Sequence, residues 1–467
     1  MDTNNDKIQT AILGAGITGM TSAYWLHRKN VPVRVFEADD DIGGASRTIH
    51  FHDFLFDLGG HRFYTRNKEV LKLIDDLLGK EMVTVSRISR IFLNDRFVDY
   101  PLGFFNALGA LGPVTSMAVA FSYAAEKFTQ LFHTPPEVTF EQWVVSRFGR
   151  RLYEIYFKPY SEKVWGIPCS ELGADFAAQR IKGMSFREAL KNMFIKKNAP
   201  ASLVSQFIYP SRGFGRIHES MAEALPSGSV EVDARVVKVE HDDGRITHVT
   251  CQKNGVEYRS AVEQVISTIP VTELVKCLSP AAPKEVLAAA ANLKYRDMVI
   301  IFLTLDREQV TPDHWIYFPT DPFISRFHEP KNWSKKMAPE GKTSLVVEVF
   351  CFEDEPVFKE ADPVLVERAT KRLVELGLIQ KQDVSGSLVI RLKKAYPLYV
   401  HDYQQYTQTI FEYLGAFKNL QLAGRNGRYK YTSADYYIEM GLRAAENTMG
   451  ANHDLDLIAS SKEYAEK

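Results

Sequence analysis

The earliest residues in this sequence with a type and spacing suited to chemistry are glycines. Gly14, Gly16 and Gly19 occur in the order Gly-Ala-Gly-Ile-Thr-Gly. Gly14 permits a tight turn, Gly16 lets the backbone approach a pyrophosphate, and Gly19 lets a helix pack closely on a strand. Free N–H groups at the start of that helix then face the phosphates, with the positive end of the helix dipole behind them. Glu37 follows at the separation that lets a carboxylate accept hydrogen bonds from a ribose diol. Gly43-Gly44 comes next and gives another close backbone approach, and Arg47 is placed to hold a pyrophosphate or steady the adjoining loop. This continuation directly after the acidic residue points to FAD and not to NAD. A further turn, Gly59-Gly60-His61-Arg62, is suited to run beside a flavin ring. His61 reads either as a neighbour of the flavin or as a buried structural histidine. Near the far end, Gly424-Arg425 precedes a helix that starts near Asp435. The N-terminus of that helix can face the flavin pyrimidine edge, where negative charge collects on reduction. FAD is thus the expected cofactor. It is expected to be noncovalent, because Cys169, Cys251, Cys277 and Cys351 lie far apart and give no signal for a thioether. The same spacing offers no metal site.

These residues need elements to hold them. Residues 9–13 read as a short apolar strand, 14–19 as a turn, 20–28 as a helix and 31–37 as a strand rich in β-branched residues, together a βαβ unit. Strand–helix alternation then stops, and residues 99–197 read as mostly helical. Strands return over 229–269, with more at 299–305, 315–318 and 345–352. The last unit is a strand at 420–423, a glycine turn and a helix at 435–449. The expected fold is α/β: an FAD-binding Rossmann-like domain built from both chain ends, with an inserted helical domain and a mixed β-sheet substrate domain. The expected segments are 1–98, 201–290 and 401–467 for FAD, 99–200 for the helical insertion with a lid on the substrate side, and 291–400 for the mixed sheet.

A chain of 467 residues is too long for one core, which fits several domains. A net charge of -1 without a basic run excludes a nucleic-acid partner but not a small phosphate-bearing substrate. Reduced, scattered cysteines and a polar N-terminus without a signal-peptide core point to a cytoplasmic protein. Residues 102–125 carry no charge. The Gly112-Pro113 break inside this stretch argues for buried helices, with a membrane-surface patch as the alternative.

Four blocks beyond the glycine turns carry a family resemblance. The first runs from Phe140 and Trp143 through Gly149, Tyr153 and Tyr160 to Trp165-Gly166, and on to Gln179-Arg180-Ile181. The second is Tyr209-Pro210 with Gly213-Phe214-Gly215, and the third is Ala395-Tyr396-Pro397 with Tyr403. The fourth is Gly424-Arg425 through Tyr429-Lys430-Tyr431 to Asp435. In these the sequence resembles the UDP-galactopyranose mutases and mutase-like flavoproteins, a branch of the wider group that holds amine oxidases and protoporphyrinogen oxidases. The first and fourth blocks are the more diagnostic, since general amine oxidases lack them.

The resemblance implies an enzyme that isomerises a nucleotide-linked sugar between pyranose and furanose forms. In such mutases N5 of the reduced flavin attacks the anomeric carbon and expels the diphosphate, so no side-chain nucleophile is needed. It also implies a catalytic set of His61, Arg180 and Arg326. Trp165 and Tyr396 line the cleft. Arg180, on a lid segment, and Tyr429 and Tyr431 hold the diphosphate, and Arg425 stands by the flavin. Tyrosines at i and i+2 share one side of an extended segment, which suits a two-point grip. The sequence departs from the mutase pattern twice. Lys182 stands where a second arginine is usual, and Arg62 stands where an apolar residue is common. The alternative is an FAD-dependent oxidoreductase that removes hydride from an amine, porphyrinogen or polyene.

Overall fold

The computed structural model describes residues 7–93, 96–99, 112–133, 137–176 and 206–458. Strand Ile8–Leu13 ends in four buried residues, as a central strand covered on both faces requires. It pairs in parallel with Val33–Phe36 on one side and with the second half of Val256–Ser267 on the other. Val230–Glu231 extends the sheet beyond Val33–Phe36, and Leu420–Leu422 pairs with the end of Val256–Ser267. An antiparallel run of Arg235–Asp242, Arg245–Lys253 and Val256–Ser267 continues it. The sheet thus draws on three separated stretches of chain, including both ends of the chain as the sequence implies.

Helix Ile17–Arg28 packs beside helix Ala434–Thr448, and both lie on this sheet. The Thr18 hydroxyl donates to the Tyr437 carbonyl at 3.1 Å, and the Ser22 hydroxyl donates to the Gly441 carbonyl at 2.9 Å. A side chain added at Gly441 would come within 2.6 Å of the Thr18 carbonyl oxygen. Small residues on both helices therefore allow the close approach that ties the two ends of the chain together.

A second sheet has the order Val384–Leu398, Lys294–Leu305, Thr343–Cys351, Arg326–His328, Trp315–Tyr317, Ser89–Leu93 and Arg96–Asp99. Its pairs are antiparallel except Trp315–Tyr317 with Ser89–Leu93, so the sheet is mixed, as expected. Thr343–Cys351 is buried along its whole length and carries one carboxylate, Glu348. Strand Ser89–Leu93 and all but the last residue of Arg96–Asp99 fall within the segment 1–98 that the sequence assigns to FAD, yet they form the edge of this second sheet. Trp315–Tyr317, the partner of Ser89–Leu93, is distant in sequence, and no local pattern announces the pairing.

The helical portion includes Pro113–Gln130, Phe140–Phe148 and Lys158–Trp165. Here one expectation is corrected. Of the uncharged stretch 102–125, residues 102–111 lie outside the described residues. The rest begins a helix, Pro113–Gln130, in which only Val119 is buried. Val114, Met117, Phe121 and Phe128 are exposed. The polar side of the helix is what faces inward. Lys127 and Gln130 donate to the Ser146 carbonyl at 2.8 and 2.9 Å, and the Ser122 hydroxyl accepts from the Arg151 N–H at 3.1 Å. Among the described residues, no helix is long and apolar enough to cross a membrane.

Candidate functional site

The nucleotide end is built from backbone. Gly14 has φ +98°, which other residues rarely adopt, and a side chain at Gly19 would sit 2.0 Å from the Gly14 carbonyl oxygen. Gly16 differs from both. Its backbone is extended, and an added side chain would meet nothing within 4 Å. Gly43 bridges to Gly16, and its N–H donates to the Ala15 carbonyl at 2.8 Å. Gly16 and Gly44 therefore border an open cradle of backbone. Glu37 takes the Ala15 N–H at 2.7 Å on one oxygen and the Asp39 N–H at 3.0 Å on the other. The carboxylate is thus held rigidly beside the turn. Nε of Arg47 is buried without a hydrogen-bond partner, and Nη1 has only the Asp39 and Asp40 carboxylates at 3.7 Å, beyond hydrogen-bond distance. A bound pyrophosphate would satisfy donors of this kind, so the residues present fit FAD.

Farther along, the glycine turn carrying His61 sits over the second sheet. Gly59 has φ +90° and lies against the Glu348 carboxylate, and Gly60 leaves space for the Trp315 and Trp333 rings. His61 Nδ1 is 2.9 Å from the Gly59 carbonyl and acts as donor to it. Burial, and then the Arg425 guanidinium, push the imidazole down to about 3. His61 is therefore neutral near pH 7, and the Arg425 charge reaches it.

Arg425 donates to the Ala395 carbonyl at 2.8 Å and lies 5.4 Å from each of the Tyr396, Tyr431 and Tyr437 rings. Trp165 is buried, with its ring 6.1 Å from Tyr396 and 6.2 Å from Tyr431. Arg326 Nη2 donates to the Tyr396 hydroxyl at 3.1 Å, and Nε donates to Glu348 at 2.7 Å. Burial raises the Glu348 pKa, but Arg326 and then His328 outweigh it and hold the carboxyl below its ordinary range. Five residues chosen from the sequence, namely Trp165, Arg326, Tyr396, Arg425 and Tyr431, thus form one contiguous cluster near His61.

Other sequence choices land differently. Tyr429 does not share a grip with Tyr431. Its φ of +47° breaks the extended run on which the i, i+2 argument relied. Its hydroxyl lies between the Leu398 carbonyl, at 2.8 Å, and the Lys294 carbonyl, either of which can take its proton, and it accepts from the Leu398 N–H at 3.2 Å, so it is a buried structural tie. Asp435 is buried at the start of the last helix, where it accepts from the Ser433 hydroxyl at 2.5 Å, and burial pushes its carboxyl up to about 6. Arg180 and Lys182 lie outside the described residues. Glu348 and Trp315 were missed. The available signal was a lone acid in the apolar run of residues 343–351.

A dinucleotide cradle, a glycine turn over a second sheet and a closing C-terminal helix define an FAD-binding flavoprotein. The chain belongs to the flavin containing amine oxidoreductase family, whose model matches residues 17–449, and FAD is its cofactor. A crystal structure of reduced UDP-galactopyranose mutase superposes with a TM-score of 0.82 at 22% identity, over 98% of this chain and 99% of that one. Coproporphyrinogen III oxidase of Staphylococcus aureus is 24% identical over 285 residues, or 56% of this chain and 59% of that protein. The probable UDP-galactopyranose mutase of Klebsiella pneumoniae is 25% identical over 245 residues, or 51% of this chain and 59% of that protein. The chain thus spans about three fifths of the length of these two relatives.

Burial pushes all four cysteine thiols up, those of the buried Cys169, Cys251 and Cys351 to about 12, far from a reactive thiolate. Acid precipitation should therefore release the flavin into the supernatant. Colour that stays with the pellet would disprove noncovalent binding.

Proposed function

We propose that this chain is an FAD-dependent mutase-type enzyme that isomerises the ring of a nucleotide-linked sugar. The observation that carries this reading is the charge of the side-chain cluster near His61. Arg62, Arg326 and Arg425 gather around aromatic rings. Among the described residues, the one carboxylate bonded to any of them is Glu348, which holds Arg326. Such a field draws in an anion and repels the protonated amine that an amine oxidase must bind. When bound and reduced, FAD supplies a nucleophilic nitrogen. The protein's part is to hold the diphosphate through Tyr431 and Arg180, to pack the sugar against Trp165, and to keep His61 neutral. Arg180 takes this role from the family resemblance. A second reading rests on the similarity to coproporphyrinogen III oxidase, because a porphyrinogen bearing carboxylates also suits a positive site.

Calorimetric titration of the dithionite-reduced protein with UDP separates the two readings. A charge-assisted hydrogen bond to phosphate contributes about 1.5–3 kcal/mol, so Arg180→Ala should weaken binding roughly 10- to 150-fold. Tyr431→Phe removes one neutral donor and should cost about 0.5–1.5 kcal/mol. Flavin content should be unchanged in both variants. If wild type binds no nucleoside diphosphate at millimolar concentration, the mutase reading fails, and porphyrinogen oxidation becomes the reaction to assay.

A further inference from the structure

Arg62 is the residue on the His61 turn to which the mutase-type reading gives only a share in the general positive field. It is half-buried and follows His61 directly. Its guanidinium carbon lies 5.2 Å from the centre of the Trp315 ring, and Arg326 approaches the same ring at 4.5 Å. Arg326 is neutralised by Glu348 and tethered to Tyr396. Arg62 has neither kind of restraint, for among the described residues no carboxylate, carbonyl or hydroxyl is bonded to it. A guanidinium that lies over an indole without a carboxylate partner has N–H groups available for a planar, bidentate anion. It is linked to the diphosphate grip through intervening side chains. From Tyr431 the contacts run through Tyr396, then Arg326, then Trp315, before they reach Arg62. Arg62 thus stands at the far end of this chain of contacts, beside the turn that carries His61.

We propose that Arg62 is a specificity determinant that binds a carboxylate on the sugar of the nucleotide-linked substrate, so that the preferred substrate class is a nucleotide-linked uronate. This inference rests on the mutase-type reading and deepens it. An apolar residue here would be indifferent to the group at that end of the sugar. An arginine without a partner rejects a neutral group, because its own desolvation on closure would go uncompensated.

The test compares UDP, UDP-glucose and UDP-glucuronate by calorimetry on the reduced holoenzyme. The two sugars differ only in a hydroxymethyl group against a carboxylate. Wild type is expected to bind UDP-glucuronate roughly 10- to 100-fold more tightly than UDP-glucose. Arg62→Met should bring that ratio to about 1 with flavin content unchanged, any loss of affinity for UDP itself being shared by both sugars, and Arg62→Lys should retain part of the preference. A wild-type ratio near 1 overturns the proposal, as does a preference that survives in Arg62→Met. A wild type that binds none of the three ligands overturns the parent reading instead, and the inference falls with it.

Discussion

Gly16→Val is expected to give a folded protein that purifies without flavin. The three glycines of the first turn are not equivalent. A side chain at Gly14 meets a left-handed backbone, and one at Gly19 meets the Gly14 carbonyl oxygen at 2.0 Å, so either change strains the fold itself. Gly16 has φ -68° and ψ 177°, a conformation open to any residue, and nothing lies within 4 Å of its missing side chain. Valine there leaves the apoprotein intact and fills the space reserved for the pyrophosphate. The flavin-to-protein ratio should fall to near zero, while circular dichroism stays that of the wild type. Added FAD should raise the melting temperature of wild type only. A ligand at 100 times its Kd contributes about 2.7 kcal/mol, which the variant cannot gain. A normal flavin content in Gly16→Val would place the cofactor elsewhere.

Glu348→Leu should be among the most destabilising single substitutions in the second sheet. The Glu348 side chain is fully buried and that of Arg326 is 12% exposed. Removing one partner of such a pair leaves a buried charge uncompensated, at a cost of about 3–5 kcal/mol. Replacing both, as Arg326→Met with Glu348→Leu, should recover much of that loss, because no stranded charge remains. The measurement is the urea midpoint at a fixed excess of FAD. A Glu348→Leu variant within about 1 kcal/mol of wild type would show that the pair is not buried as described. So would a double variant less stable than both single ones. The pH dependence follows from the lowered carboxyl. The stabilisation is present above the ordinary carboxylate range and is lost as pH falls through the depressed folded value. The gap between wild type and Glu348→Leu should therefore narrow in acid. Nucleotide binding should also weaken in Glu348→Leu, since Arg326 then loses the group that orients it.

Much of the cofactor end was legible in the sequence, because what it requires is local. A left-handed turn at Gly14, a close helix–strand contact at Gly19 and a carboxylate after the second strand are each specified within a few dozen residues. The placement of Glu37, the final glycine turn and the closing helix follows from the same short-range rules. The substrate end was only partly legible. Trp165, Tyr396, Arg425 and Tyr431 lie in the blocks that carry the family resemblance, and Arg326 follows from the resemblance outside them; such a resemblance names residues without saying what they touch. Tyr429 shows the limit. It belongs to the motif of Tyr431, but a positive φ turns it into the core, and φ is set by the surrounding packing.

What the sequence by itself determined is the chemistry of the backbone cradle and, through it, the flavin. Only the tertiary structure decided which side chains face the reacting group. Strand Thr343–Cys351 is buried along both faces, so alternation could not tell that Glu348 points toward Arg326 and the Gly59 turn. Trp315 reaches Gly60, Arg62 and Arg326 through pairings between strands far apart in the chain. Helix Pro113–Gln130 turned its apolar stripe outward because three polar side chains found partners on the neighbouring helices. In each case the deciding contact joins residues that no local period relates. Its free energy exists only once the sheets and helices are assembled.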